Sequence, residues 1–394
     1  MKIAILNWSS GENNPFTPFN EKLKHEFEAF GREVVLIPLN SSFPKNLIEA
    51  HKEGLDFAIT WQGLGTGFSQ ASVNQCIWDQ LRLPLFCIHG DHPSQQPDNH
   101  LAFAKYARHF YAAGSFTRYA NRHFQRKHAA LTFKMPVVNK KTISKKNDGD
   151  FFVVLKNLDD TAVTFKNWQS RVPADLLKIL IECATAITEN MQRESQTDHH
   201  FIVDKVLENE KFFSNLPDRY SSLNSHSLYH WIHNELNKLY RNIFSEIILS
   251  ELKDFPVKII GRGWERHAAK GNPRHSFHAA LNAADSEEFF YSRWGIIDVS
   301  PTYDCLHDRT LRAISCKSSF LSGSNWPHAP LISFFSNDLL FNSNIGHLKE
   351  RAEAVVSDPE LHFEKCLDFG KNYQVWAPHS ELLRNFELFR STFN

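Results

Sequence analysis

The sequence predicts an α/β protein of two units, each built on a parallel sheet, with a helical insertion in the second. Three observations predict it. Short apolar runs alternate with segments of helical period in both halves of the chain. A polar and basic stretch, "VVNKKTISKKNDGD" (residues 137–150), interrupts that alternation and reads as a linker. Finally, 394 residues exceed what one hydrophobic core usually spans, so two units are expected.

The first half supplies its elements in order. "KIAILNW" (2–8) is an apolar run closing in the polar, glycine-containing loop "SSGENNP". "NEKLKHEFEAFG" (20–31) spaces Leu23, Phe27 and Phe30 at helical intervals, and Gly31 suits a C-terminal stop. "EVVLIPL" (33–39), "LDFAITW" (55–61), "LPLFCIHGDHP" (83–93) and "HFYAAG" (109–114) are further strand candidates. The segment "WQGLGTGF" (61–68) reads as a flexible strand-end loop. Its glycines are not spaced G-x-G-x-x-G and it does not follow the first strand, so it is no dinucleotide fingerprint.

In the second half, "FFVVLKN" (151–157) restarts the strand pattern. "VPADLLKILIECATAITENMQ" (172–192) and "SLYHWIHNELNKLYRNIFSEIILSELKD" (227–254) carry apolar residues at three-to-four spacing and form the core of a helical segment over 165–254. "VKIIGRGW" (257–264) is a strand entering a glycine loop, "DSEEFFYSR" (285–293) a helix and "WGIIDVS" (294–300) a strand. A helix over about 307–318, a strand "SFLSG" (319–323) and helices over 344–358, 359–374 and 379–392 complete the pattern. The expected division is residues 1–145 for the first unit and 150–374 for the second. Two such units facing each other enclose a cleft, where ligands usually bind.

The bulk numbers narrow the function. Forty-four Lys and Arg balance 44 Asp and Glu, and the pI is about 7.4. A general nucleic-acid or anionic-membrane binder carries a basic excess, so neither partner is expected, although a local basic patch is compatible with that balance. The six cysteines form no CxxC pair, which argues against a disulfide framework or zinc cage and for a reducing compartment. No apolar stretch approaches the roughly 18 residues that span a bilayer, and the N-terminal run is too short for a signal-peptide core. The protein is expected to be cytoplasmic, without a transmembrane segment.

Two stretches carry chemistry. In "DCLHDRTLRAISC" (304–316), a strand end delivers the chain to a helix beginning near His307. The first-turn N–H groups of a helix lack intrahelical partners and its dipole is positive there, so His307, Asp308, Arg309 and Thr310 mark a candidate anion site. Arg309 and His307 are the charge-assisted donors of that group; the rival reading is a capped, solvated helix end. "IIGRGW" (259–264) places Gly261, Arg262, Gly263 and Trp264 at another strand end, with glycines that permit close backbone approach to a ligand. On the first unit, "IHGDHP" (88–93) offers Asp91 and His92 as a general base, and the loop "SSGENN" (9–14) offers Glu12.

The strand ending in Gly261-x-Gly263-Trp264, followed by an aromatic helix, an apolar strand and the His307-x-Arg309 helix, resembles the donor half of GT-B glycosyltransferases. It is most similar to the CgeB-like, family 1-type bacterial enzymes. The resemblance implies two Rossmann-like domains facing across a cleft, with residues 375–394 crossing back to the first. It further implies a nucleotide-sugar donor held by the second domain, its diphosphate over the helix near His307. The acceptor, a glycan, protein or small molecule, falls to the first. One departure is Arg312, which stands where relatives place a ribose-binding Glu. The pair in "LDD" (158–160) is no D-x-D metal motif, and the expected transfer needs neither metal nor cofactor, with Arg262, Arg266 and Arg309 available to neutralise the leaving diphosphate. The alternatives are a nucleotide-sugar epimerase or hydrolase, or a non-catalytic binding protein on a degenerate scaffold.

Overall fold

The computed structural model describes the chain outside residues 9–15, 71–74, 101–103, 125–127, 136, 138–148, 160, 193–197, 211–224, 265–266, 282–284, 301–303, 324–345, 375–377 and 392–394. The described residues separate into two compact units, Met1–Asn139 with Tyr373–Asn394, and Lys140–Asn372.

Unit 1 is a six-stranded parallel sheet, with a short hairpin beside it in sequence. Its elements are β1 (Lys2–Trp8), α1 (Thr17–Ala29), β2 (Glu33–Leu39), α2 (Phe43–Lys52), β3 (Leu55–Trp61), β4 (Ser69–Gln70), β5 (Gln75–Cys76), α3 (Ile77–Leu81), β6 (Leu85–His89), β7 (Ala107–Tyr111), α4 (Gly114–His123) and β8 (Leu131–Thr132). The strand order is β2-β1-β3-β6-β7-β8, and β4 pairs only with β5. The pleat sends alternate β1 residues to opposite faces. Ile3 and Ile5 join one core cluster with Phe27, Phe57 and Phe86, while Ala4 and Leu6 join another with Phe43, Leu47 and Trp78. Both faces are therefore covered by helices, as a parallel sheet requires. The C-terminal helix, α12 (Pro378–Ser391), contributes Leu382 and Phe386 to the first cluster, and the Phe386 ring stacks on Phe57 at 4.7 Å.

Unit 2 repeats the logic around a five-stranded parallel sheet. It comprises β9 (Phe152–Leu155), α5 (Thr161–Arg171), α6 (Ala174–Gln192), α7 (His199–Asn209), α8 (Ser225–Glu251), β10 (Val257–Ile260), β11 (His275–His278), β12 (Gly295–Asp298), α9 (Asp308–Ser315), β13 (Phe320–Ser322), α10 (Gly346–Ser357) and α11 (Pro359–Gln374). The chain then enters α12 (Pro378–Ser391) of unit 1. The order is β11-β10-β9-β12-β13. Because β9 comes first and lies between β10 and β12, the crossover direction reverses beside it. In such sheets, ligands bind at the carboxyl ends of the strands where that reversal occurs.

The helical insertion α5–α8 buries several polar side chains, among them His199, His200, Asp204 and His233. Asp198 caps α7 by accepting from the His200 N–H at 2.9 Å. The Asp204 carboxylate accepts from the Tyr229 hydroxyl and from His233 Nε2 at 3.0 Å. His233 Nδ1 in turn lies 3.0 Å from His200 Nδ1. His199 stacks on Tyr240 at 4.2 Å, and burial followed by the His233 charge pushes its pKa down to about 3.

Among the described residues, no helix is long and apolar enough to cross a membrane. All six cysteines are buried and none is in a disulfide.

Candidate functional site

The carboxyl edge of the unit 2 sheet is assembled around the segment that follows β9. Glycine is required at two positions there, for a reason other than ligand access. A Cβ at Gly261 would lie 2.0 Å from the Lys156 carbonyl oxygen, and one at Gly263 would lie 1.8 Å from that of Leu158. Gly263 also has a φ of +90°, which L side chains rarely adopt. The backbone that approaches these glycines is thus the chain's own residues 156–158. Three hydrogen bonds complete the join. Arg262 N–H donates to Asn157 Oδ1 at 3.1 Å, Leu158 N–H to the Arg262 carbonyl at 2.9 Å, and Trp264 Nε1 to the Lys156 carbonyl at 2.7 Å. Trp264 is only 2% exposed and belongs to the core, so its place is behind the edge rather than on it.

This join positions Lys156, a residue the motif reading passed over. Its ammonium is pushed down to about 7, first by burial and then by the positive charges of Arg241 on α8 and Arg309 on α9, with Asp159 opposing. Mutual repulsion among three cations is what an anion relieves. The sequence signal was available: a lone Lys immediately after an apolar strand, in "VVLKN".

The N-terminus of α9 stands at the end of β12. Thr310 is fully buried; its hydroxyl donates to Asp298 Oδ2 at 2.9 Å and approaches Ser322 Oγ at 3.4 Å. Asp298, the last residue of β12, also accepts from the Ser300 N–H at 3.0 Å. Thr310 therefore ties α9 to two strands and has no solvent face for a ligand, unlike the outward role expected from its position. His307 occupies the N-cap position in extended conformation, and its side chain makes no capping hydrogen bond. Its Nδ1 lies 3.1 Å from Arg309 Nη1 and pairs with the Asp308 carboxylate. Asp308 is half exposed. What burial it has would raise its pKa, but His307, Arg309 and Arg312 outweigh that and hold it well below the usual carboxylate range. Asp308 thus acts as an internal counter-ion to His307, Arg309 and Arg312. Arg312 stacks on the Phe290 ring at 4.7 Å, with burial lowering its pKa against the pull of Asp308.

On unit 1, Asp91 and His92 follow β6 directly, but they part company. Asp91 is exposed and accepts from Gln62 Nε2 at 2.8 Å. His92 is 2% exposed. Its Nδ1 accepts from the Ser94 N–H at 3.1 Å and sits 2.7 Å from Ser94 Oγ, while its ring packs on Phe116 and Tyr119 of α4 at 5.0 and 4.4 Å. With Nδ1 committed as an acceptor, His92 holds the turn and leaves Asp91 as the outward-facing base candidate. Glu12 and Arg266 lie outside the described residues. The glycine loop after β3 is pinned rather than flexible. Thr60 Oγ1 donates to Leu64 O at 2.6 Å, Thr66 Oγ1 to Gly63 O at 2.7 Å and Trp78 Nε1 to Gly65 O at 2.8 Å.

Two groups of metal-ligand type occur among the described residues, Cys87–His89–His109 and Asp198–His199–His200, each with candidate atoms within 4.8 Å of one another. The first is a sheet-face array, since Cys87 stands opposite His109 and His89 opposite Tyr111 in the β6–β7 register. His89 Nε2 and His109 Nδ1 are 2.9 Å apart, a hydrogen-bond distance that one shared proton satisfies. All members of both groups are buried except Asp198, which is partly exposed and accepts from the His200 N–H.

Two parallel α/β units, the second with its cation-lined edge and the first receiving the final helix, define the GT-B fold. Solved structures of that fold match the whole chain. One is an alpha-glucosyltransferase in complex with UDP, at a TM-score of 0.51 and 14% identity, covering 99% of this chain and 100% of that one. Another is sucrose-phosphate synthase from Thermosynechococcus elongatus, at 0.52 and 9%, covering 100% and 99%. A third is an alpha-glucosyltransferase with UDP-glucose and DNA containing an abasic site, at 0.50 and 15%, covering 99% of each chain. No protein-family model matches the chain, and neither does any curated protein.

Proposed function

We propose that the protein transfers a sugar from a nucleoside-diphosphate donor to a hydroxyl acceptor without a metal ion. The feature that carries this reading is Lys156, directly after β9, whose ammonium is pushed down by burial and then by the positive charges of Arg241 and of Arg309 in the first turn of α9. Breaking the bond between the sugar C1 and the diphosphate oxygen leaves an electron pair on that oxygen. Fixed positive groups stabilise such developing charge without reorganising. Lys156, Arg309 and the first-turn N–H groups of α9 take that role here. Asp91 on unit 1 accepts the proton of the acceptor hydroxyl, whose oxygen forms the new bond to C1.

Two of the matched structures hold UDP or UDP-glucose, which supports a UDP-sugar as the first donor to try. One of them also holds DNA, so the acceptor class is open to nucleic acid despite the balanced net charge. A role in bacterial glycan or glycoconjugate synthesis is the alternative setting.

Incubation with UDP-, GDP- and CMP-sugars tests the reading. Nucleotide release that depends on an added acceptor supports transfer. Conversion of donor without any acceptor points instead to an epimerase or hydrolase, and failure to bind any donor removes both activities.

A further inference from the structure

The charges that cancel over the chain are segregated along it. Residues 1–98 carry seven Lys and Arg against eleven Asp and Glu, whereas residues 99–147 carry eleven Lys and Arg and no acidic residue at all. The rest of the chain is acidic, with 26 basic against 33 acidic residues. The described part of the basic stretch forms one flank of unit 1, comprising β7, α4 and the edge strand β8.

The inward face of α4 is fixed by its contacts with the edge. Thr117 Oγ1 lies 2.9 Å from Thr132 Oγ1, Asn121 Nδ2 donates to the Ala130 carbonyl at 3.1 Å, and Ala130 N–H donates to Asn121 Oδ1 at 2.7 Å. Phe116 and Tyr119 are buried and pack against His92, so α4 also touches the turn that bears Asp91. Arg118 and Arg122 are exposed and lie one turn apart on α4. Lys105, before β7, is exposed as well, and His123 and His128 are half-buried nearby in sequence.

We propose that this flank binds the phosphate backbone of a nucleic-acid duplex. Arginine guanidinium groups suit phosphate oxygens. A membrane is disfavoured because, among the described residues 104–135, no large apolar side chain is exposed for insertion. Single strands are disfavoured on the same ground, since no exposed aromatic ring is present there for bases to stack on. The inference rests on the glycosyltransferase reading only in making the duplex the carrier of the acceptor hydroxyl; the binding itself is independent of it.

The test is fluorescence anisotropy with a labelled 20-base-pair DNA duplex and the full chain. The expected result is binding at 50 mM KCl that weakens at least tenfold at 200 mM, as counterion release requires. Arg118→Glu/Arg122→Glu should weaken binding at least tenfold at 50 mM and flatten the log–log salt slope by about 2, with the melting temperature unchanged. No binding at 50 mM, no loss in the double variant, or equal displacement of the duplex by phosphatidylserine vesicles overturns the proposal. Nucleotide-sugar binding measured on the same preparation separates the two failures. Donor binding without duplex binding sinks this inference alone, and duplex binding without donor binding sinks the transferase reading alone.

Discussion

The indole N–H of Trp264 donates to the backbone carbonyl of Lys156 at 2.7 Å, joining residues 108 apart in the chain. With Gly261 and Gly263 packed on the same backbone, it fixes where the Lys156 ammonium emerges. The tryptophan thereby shapes the edge without touching what binds there.

Lys156 should make nucleotide binding depend on pH. Its folded pKa, about 7, lies below its ordinary 10.5, so between those values the unfolded chain holds the proton more tightly and stability rises with pH. A bound diphosphate reverses the repulsion and pulls the pKa back up. Binding at pH 8 should therefore take up close to one proton. Calorimetric titration in buffers of different ionisation enthalpy measures this, and Lys156→Met should abolish the dependence. A buffer-independent enthalpy in the wild type would remove Lys156 from the site.

Arg309 and Asp308 should act with opposite signs. Arg309→Ala removes a donor to the anion and should weaken diphosphate binding by about tenfold, the scale of one charge-assisted hydrogen bond. Asp308→Asn removes the competing counter-ion and should tighten binding a few-fold. It should also cost about 0.3–1 kcal/mol of stability, because a carboxylate in the first turn complements the helix dipole. Paired titration and thermal melting of the two variants checks both signs.

Asp91 and His92 should separate cleanly in a turnover assay. Asp91→Asn is expected to lower kcat by roughly 10²–10⁴ with donor affinity unchanged, the loss of a general base. His92→Phe leaves the Ser94 N–H without its acceptor and should cost about 1 kcal/mol of stability with little change in kcat. A larger kcat loss for His92→Phe than for Asp91→Asn would reverse the assignment.

The helical insertion should be acid-sensitive. His199 is neutral in the fold because its pKa is held near 3, below its ordinary 6.5. The unfolded chain gains a proton as pH falls through 6.5, so stability drops progressively from there towards 3. Far-UV circular dichroism across that window should show the loss. Replacing His199 with Gln should shift the midpoint to lower pH; an unshifted midpoint would place the sensitive group elsewhere.

Much of the scaffold was legible because parallel strands buried on both faces appear as isolated apolar runs. "KIAILNW", "EVVLIPL" and "LDFAITW" coincide with β1, β2 and β3 end to end. Elements without such a run were passed over. The edge strand β11 is "HSFH", and α4 is the largely polar "GSFTRYANRH". At the site, position was legible and orientation was not. Trp264, Thr310 and His92 stand at strand or helix ends as read, but packing turns each of them inward. Net charge, for a related reason, does not show that residues 99–147 carry eleven Lys and Arg and no acidic residue.

The central claim is that unit 2 holds the diphosphate of a nucleotide sugar through Lys156 and Arg309. Isothermal titration of the wild type and of Lys156→Met/Arg309→Ala with UDP-, GDP- and CMP-sugars tests it most directly. The account predicts one-site binding of at least one nucleoside-diphosphate sugar to the wild type and its loss in the double variant. Binding that survives both substitutions, or a wild type that binds none of the panel, would contradict it.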